Sequence, residues 1–417
     1  MEHKVTSSFI VALFLLGSLI LSFGIKPAKS KPRTWTVDDD GPADFMRIQD
    51  AINAAGIGDT VFVYNGTYNE CLDVNKTINL LGNGAEITRI ASPDVGLDAV
   101  TVNITANNVS LSGFEIETYG SFEPLHMPWA LDVTGSNTMI ANNIFERWAY
   151  AGAAKLSGSH NTFTENEVYG ARGILLNSTF SVISYNNITA AYGVFNGELW
   201  LPLSSVIFGN NIRYTNMYYP AIAMFGSVGL NVTIADNTME SNGYALDLGS
   251  LTTLVSLNVT VMENVIRDNS VGIRLRNCTD VAIFHNDLIN NTNQVELTGS
   301  SVAQWDKGNV TGGNYWSDGV FLDTDGDGFS NYYRTLDSLN RDLYPLMSPY
   351  WYWKNPIAGD VNRDMRVDIK DLAIVAKSYG TYPGLPKWNP YVDLNKDDKV
   401  DIKDLALVAK HYGEVYA

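Results

Sequence analysis

Two stretches near the end of the chain carry oxygen-bearing side chains at matching intervals. Asp360, Asn362, Asp364, Asp368 and Asp371 stand at positions one, three, five, nine and twelve of the first. Asp393, Asn395, Asp397, Asp401 and Asp404 stand at the same positions of the second. Carboxylates and amides so spaced can close around one cation, with the main-chain carbonyl of Arg366 or Lys399 at position seven completing the shell. Hard oxygen donors in this number suit calcium, one ion per stretch. Each stretch runs into a helix with an apolar face, Leu372, Ile374 and Val375 or Leu405, Leu407 and Val408, ended by Gly380 or Gly413. Val367 and Val400, at position eight, are placed to pair the two loops by a short β contact.

The interval is that of the EF-hand loop. The duplicated unit of a loop plus one helix, from about Ile357 to Tyr416, resembles a dockerin. That resemblance implies a calcium-dependent plug whose partner is a cohesin-like or cell-surface protein. Three departures from the usual pattern stand out. Position six, commonly Gly, is Met365 and Asp398, and Met in a left-handed backbone costs roughly 1 kcal/mol, which marks the first loop as the weaker site. Position twelve is Asp rather than the longer Glu of EF-hands, although dockerins commonly use Asp. Positions ten and eleven are Ile369-Lys370 and Ile402-Lys403 in place of Ser-Thr, so the expected partner differs from the familiar cellulosomal one. Upstream, Asp323, Asp325 and Asp327 alternate with Thr324 and Gly326 and lack an acid at the closing position, Arg334. They form either a third calcium site or an acidic turn.

Between Val102 and Asn309 an apolar-x-x-Asn-x-apolar pattern recurs. Its asparagines, Asn143, Asn166, Asn186, Asn210, Asn237, Asn264 and Asn286, are roughly 20 to 27 residues apart, the period of a solenoid coil. Short apolar runs such as Gly173–Leu176 and Gly272–Leu275 read as strands separated by turns. The expected fold is mainly β, a right-handed parallel β-helix joined to a small all-α module. The repeated Asn is expected to stack as a hydrogen-bonded ladder at a bend and to adopt the left-handed backbone there, a structural role. Residues 46–55 have helical spacing, with Ile48, Ala51, Ile52 and Ala55 on one face, and form a cap over the first coil. Expected boundaries are 31–349 for the β-helix (closing segment about 310–349), 350–356 for a short rigid linker and 357–417 for the calcium module.

Ile48-Gln49-Asp50-Ala51-Ile52-Asn53, Gly58-Asp59-Thr60-Val61-Phe62-Val63 and Asn65-Gly66-Thr67-Tyr68 resemble the opening of NosD-like proteins, within the pectin-lyase-like β-helix superfamily. Gly312-Gly313-Asn314-Tyr315-Trp316-Ser317-Asp318 and Asp342-Leu343-Tyr344-Pro345-Leu346 resemble their closing segment. The resemblance implies fold more than activity, because this architecture hosts lyases, hydrolases, epimerases and plain binding rods.

A hydrolase needs two converging carboxylates, and a lyase needs a base beside a cation. The signature runs of polygalacturonases and alginate epimerases are absent as sets. Arg274 and Arg276 alternate on one strand and share a side; with Arg147, His160, Arg172 and His285 they read as solvated outer positions without a matched base. Trp129, Trp148, Trp200, Tyr214, Tyr218 and Tyr219 fall near longer loops, where exposed rings stack on sugars or on other proteins. Arg274, Arg276, Trp200 and Tyr218 are the candidate carbohydrate contacts. The expected task is therefore binding of carbohydrate or of an envelope surface. A polysaccharide lyase or glycoside hydrolase carried on the docking module is the alternative, and a structural envelope component is the third reading.

Lys4, an apolar run from Phe9 to Phe23 and Lys26-Pro27-Ala28-Lys29-Ser30 read as a cleavable secretory signal over residues 1–30, leaving a mature chain from about Lys31 with no further segment apolar enough to span a membrane. Acids outnumber bases, 45 to 28, which argues against nucleic acid as a partner. Cys71 and Cys278 are expected to be buried and unbridged. Asn-x-Ser/Thr sequons at Asn65, Asn75, Asn103, Asn108, Asn177, Asn187, Asn231, Asn258, Asn277, Asn290 and Asn309 mark either a glycosylated exterior or a by-product of an Asn- and Thr-rich composition.

Overall fold

A computed structural model of the chain describes residues 31–93, 100–118, 128–147, 151–196, 203–213, 219–226, 229–324 and 327–416. The signal-like segment, Trp148, Trp200, Tyr214, Tyr218, Asp325 and the side chain of Arg147 lie outside the described residues.

Each coil lays down short strands on three faces, and each strand pairs in parallel with its counterparts one coil earlier and later, giving a parallel β-solenoid of about 10 turns. The first face runs from Thr34–Val37 to Ala303–Gln304 as a 12-stranded sheet. The second and third faces merge into one 19-stranded sheet, because Glu167–Leu176 and Asn187–Phe195 pass the bend between them as continuous strands. Register stacks like on like. Leu111, Ile140, Phe163, Ile183, Ile207, Ile234, Val261 and Ile283 form one inward file on the first face. Ile116, Phe145, Val168, Ile188, Ile212, Met239, Ile266, Leu288 and Trp316 form another on the second. Their side chains are buried, so every coil adds apolar area to one continuous core.

The expected asparagine ladder is present and extends one rung further, to Asn314. Asn237 shows the pattern. Its Nδ2 donates to Asn264 Oδ1 (3.0 Å), Ile207 O (2.9 Å) and Ala235 O (2.9 Å), while its Oδ1 accepts from Asn210 N (3.0 Å) and Asn210 Nδ2 (2.9 Å). The left-handed residue is not the ladder Asn, as expected from sequence, but the residue before it. Asn142, Glu165, Tyr185, Gly209, Asp236, Glu263 and His285 have φ between 55 and 66°. That residue makes the kink and points outward, which turns the next side chain in toward the core. A non-Gly residue there costs about 1–2 kcal/mol, offset by the amide bonds that the bend permits. A second file, Asn242, Asn269 and Asn291, ends on Gln294 Oε1 (2.7 Å).

Both ends are closed. Helix α1 (Ile48–Ala54) buries Ile48, Ala51 and Ile52 over the first coil. Glu70 from the next turn accepts Ile48 N (2.8 Å) and Gln49 N (3.2 Å), and Lys76 Nζ binds the carbonyls of Ile52, Asn53 and Ala55 at the other end. At the far end, Asp342 Oδ2 accepts Asn314 N (2.8 Å) and Trp316 Nε1 (2.9 Å), so a carboxylate stops the ladder. Asp342 is fully buried, and burial pushes its pKa up to about 7. Cys278 is buried as expected, but Cys71 is exposed on the cap turn, its Sγ 3.4 Å from Ser92 Oγ; the short coil there places it outside the core.

Asn237→Ala strands donors and acceptors on both neighbouring coils, and a loss of about 2–5 kcal/mol in urea denaturation is expected. Asp342 binds a proton more tightly in the folded chain than its unfolded reference near 4, so its contribution to stability falls as pH rises from about 4 to about 7. Melting temperature measured from pH 5 to pH 8 should fall for the native chain, and less steeply for Asp342→Asn.

Candidate metal centre

Three short helices follow the solenoid: α2 (Tyr350–Lys354), α3 (Ile369–Lys377) and α4 (Ile402–Lys410). The two acidic loops lead into α3 and α4. Positions nine and twelve double as capping boxes: Asp368 accepts from Lys370 N and Asp371 Oδ2 from Asp368 N (2.8 Å), and Asp401 and Asp404 repeat this. Val361, Val367, Ile374, Val375, Val392, Val400 and Val408 form a separate core between the helices.

Within each loop the oxygens converge on shared backbone. Asp360 Oδ1 (3.2 Å) and Asn362 Oδ1 (3.1 Å) both face Asp364 N, and Asp371 Oδ1 accepts Val361 N (2.8 Å). In the second loop Asp393 Oδ1 (3.2 Å) and Asn395 Oδ1 (3.0 Å) face Asp397 N, and Asp404 Oδ1 accepts Leu394 N (2.8 Å). Position six is left-handed in both copies, with φ 70° at Met365 and 60° at Asp398, and so is position four, Arg363 and Lys396. The acids crowd one another: burial first, then the charges of Asp371 and Asp364, push Asp360 up to about 6. Asp364 Oδ1 is buried with no hydrogen-bond partner, while Lys370 Nζ holds Asp364 Oδ2 at 2.9 Å. An all-oxygen donor set with an unspent buried carboxylate oxygen fits a hard cation. The position-eight valines do not pair with each other. Val367 N donates to Glu414 O (2.9 Å) and Val400 N to Thr381 O (3.0 Å), so each loop is tied to the chain leaving the other loop's helix.

In the Asp323–Asp327 segment the described carboxylates accept nearby backbone N–H groups. Asp323 Oδ2 accepts Gly328 N (3.0 Å) and Asp327 Oδ1 accepts Phe329 N (2.9 Å). Among the described residues a different trio, Asp38, Asp39 and Asp40, has carboxylate oxygens within 4.8 Å of one another. The segment expected as a linker is α2, packed on the solenoid. Tyr350 N donates to the buried Asp287 Oδ1 (2.6 Å), Lys354 Nζ to Glu263 Oε2 (2.7 Å), and the Tyr350 ring stacks on His285 at 4.2 Å. His285 is thus buried under α2 rather than solvated.

Arg274 and Arg276 do share a side, but they are not solvated and do not lack a carboxylate. Asp247, one coil earlier and 2 % exposed, accepts Arg274 Nε (3.1 Å), Arg274 Nη2 (2.6 Å) and Arg276 Nη2 (2.6 Å). The Arg274 guanidinium lies 3.4 Å over the Tyr244 ring. Burial pushes Asp247 up to about 6 despite the charge and hydrogen bonds of Arg274. The sequence held a signal for this trio: threading Leu246-Asp247-Leu248 over Ile273-Arg274-Leu275 by the ladder period sets Asp247 beside Arg274. Trp129 is buried and His160 stacks on Phe180 at 5.1 Å.

Residues 206–319 match the family model described as periplasmic copper-binding protein (NosD), and residues 358–412 match the dockerin type I domain. A cell surface glycoprotein of Methanothermus fervidus is 33% identical over 110 residues, which is 26% of this chain and 18% of that protein. The chain therefore spans under a fifth of the curated relative it matches. Among solved structures, the Aspergillus niger pectin methylesterase aligns at 16% identity and TM-score 0.41, covering 58% of this chain and 86% of that one. Pectin methylesterase PemA of Erwinia chrysanthemi aligns at 14% and 0.41, covering 51% and 81%. The A-module of the Azotobacter vinelandii mannuronan C-5 epimerase aligns at 15% and 0.36, covering 62% and 93%. Over its later coils the chain is thus similar to NosD proteins, and over its acidic loops to type I dockerins.

Proposed function

We propose that this chain is a secreted, cell-surface-associated β-helical rod, carried into an extracellular assembly by a module that binds two calcium ions. The observation that carries this reading is the pair of oxygen-lined loops, repeated contact for contact, with a spare carboxylate oxygen at Asp364. Dockerin domains are generally calcium-binding and engage cohesin-type partners. The ligands are Asp360, Asn362, Asp364, Asp368 and Asp371 with the Arg366 carbonyl, and Asp393, Asn395, Asp397, Asp401 and Asp404 with the Lys399 carbonyl. Ile369 and Ile402 are 64% and 65% exposed, so the partner is a cohesin-like or surface protein with an apolar face. A surface address is supported by the signal-like leader, by the similarity to a cell surface glycoprotein, and by the sequons, whose asparagines all lie outside the buried class, unlike the ladder asparagines.

A second reading has one observation in its favour. Asp247 beside Arg274, Arg276 and Tyr244 sets a carboxylate, two cations and a ring on one face of the rod, an arrangement suited to holding a polar saccharide.

Calorimetric titration of the full chain should find two calcium ions bound, and one after Asp393→Ala with Asp404→Ala. Removing a ligand should cost more than the ~10–100-fold typical of outer-shell partners. A chain that takes up no calcium would sink the docking reading. Reducing-end and unsaturated-product assays on a polysaccharide panel address the rod; turnover on any polymer would make it a catalyst.

A further inference from the structure

We propose that Tyr352 couples the filling of the first calcium loop to the seating of the module on the end of the solenoid. This rests on the calcium reading above. Tyr352 is fully buried on α2. Its hydroxyl accepts Ile357 N (3.1 Å) and donates to Asp360 Oδ2 (2.5 Å), the carboxylate at position one. Met365 N (2.9 Å) reaches the same oxygen, so the two donors fix how Asp360 presents its other oxygen to the loop. Tyr352 is thus a positioning residue for a ligand.

The element that carries Tyr352 is held by the solenoid on both sides of it. Tyr350 is bound by Asp287 and stacked on His285, Lys354 is paired with Glu263, and the Trp353 ring stacks on Phe329 at 5.5 Å. The module closes on α2 from the other side. Arg363, at position four of the first loop, lies 3.9 Å over the Trp353 ring, Tyr416 packs on Trp351 and Tyr352, and Lys377 Nζ donates to Thr324 O (2.9 Å). A shift of α2 off the solenoid therefore moves the hydroxyl that orients Asp360. The second loop has no counterpart. Leu385 stands as far before Asp393 as Tyr352 stands before Asp360, and it offers no hydroxyl. Two loops alike in sequence thus differ in what surrounds them. The first answers to the rod, and the second answers only to the module.

Linkage makes the effect reciprocal: if seating favours calcium, calcium favours seating by the same factor. The test is calcium titration of the full chain by calorimetry, alongside fluorescence of Trp351 and Trp353 as a readout of seating. Tyr352→Phe is expected to weaken one of the two sites about 10–100-fold and spare the other. His285→Asn removes the stack under Tyr350 while keeping a residue that tolerates left-handed backbone, and it touches no calcium ligand. It is expected to weaken the same site and to blunt the tryptophan response. If Tyr352→Phe weakens a site and His285→Asn does not, Tyr352 acts locally and the coupling is overturned. Two unchanged affinities in both variants overturn it as well. A native chain that binds no calcium fails the calcium reading itself, which is a separate result.

Discussion

A residue held in the left-handed region, followed by an asparagine whose amide is spent inside the protein, recurs at one bend of most coils. The other features of the rod depend on that pair of residues. The kink lets three short strands close a coil, and the inward amide satisfies backbone groups that a tight buried bend would leave unpaired. The strain and the hydrogen bonds are of similar size, so neither makes sense without the other. Because most of the amide's bonds run to the neighbouring coils, each turn depends on being stacked. This is why both ends require special devices: α1 with Glu70 and Lys76 at the start, Asp342 at the finish.

The dockerin-like module solves the opposite problem. It has a small core, and its loops gather acids that repel one another. Lysines at position eleven neutralise one carboxylate in each copy, and capping boxes use two more oxygens to start a helix. The rest of the negative charge is directed at a space between Asp360, Asn362 and Asp364. A bound cation would offset that charge, which couples metal binding to folding in such loops.

The regular parts of the molecule were legible from sequence because they repeat. Periodic Asn143 to Asn286 announced the coil, and matched positions in residues 360–371 and 393–404 announced the loops. What escaped was contact between non-equivalent repeats. Asn tolerates the left-handed backbone, which makes it the expected occupant, yet Glu165, Tyr185, Glu263 and His285 occupy it; their types vary because each points away from the solenoid core. Asp247 was missed because its partners lie a full coil away. The Val367–Val400 pairing does not form because each valine is drawn to the chain leaving the other loop's helix, a choice set by three-dimensional symmetry. The aromatic segment from Tyr350 to Trp353 read as a linker by composition, although it packs as part of the solenoid's end.

The ladder has a direction. Each interior rung shows its oxygen to the coil before and its backbone N–H to the coil after, so the aligned groups leave a donor end at Asn314, where the Asp342 carboxyl group accepts. Interior rungs are interchangeable, since each offers the same acceptor and needs the same donor. A whole coil can therefore be duplicated or deleted between the ends without disturbing either cap, while a partial one cannot. Length becomes an evolvable quantity that changes in steps of one strand spacing, about 4.8 Å. The rod is in this sense a ruler, setting how far its tip stands from the dockerin-like loops.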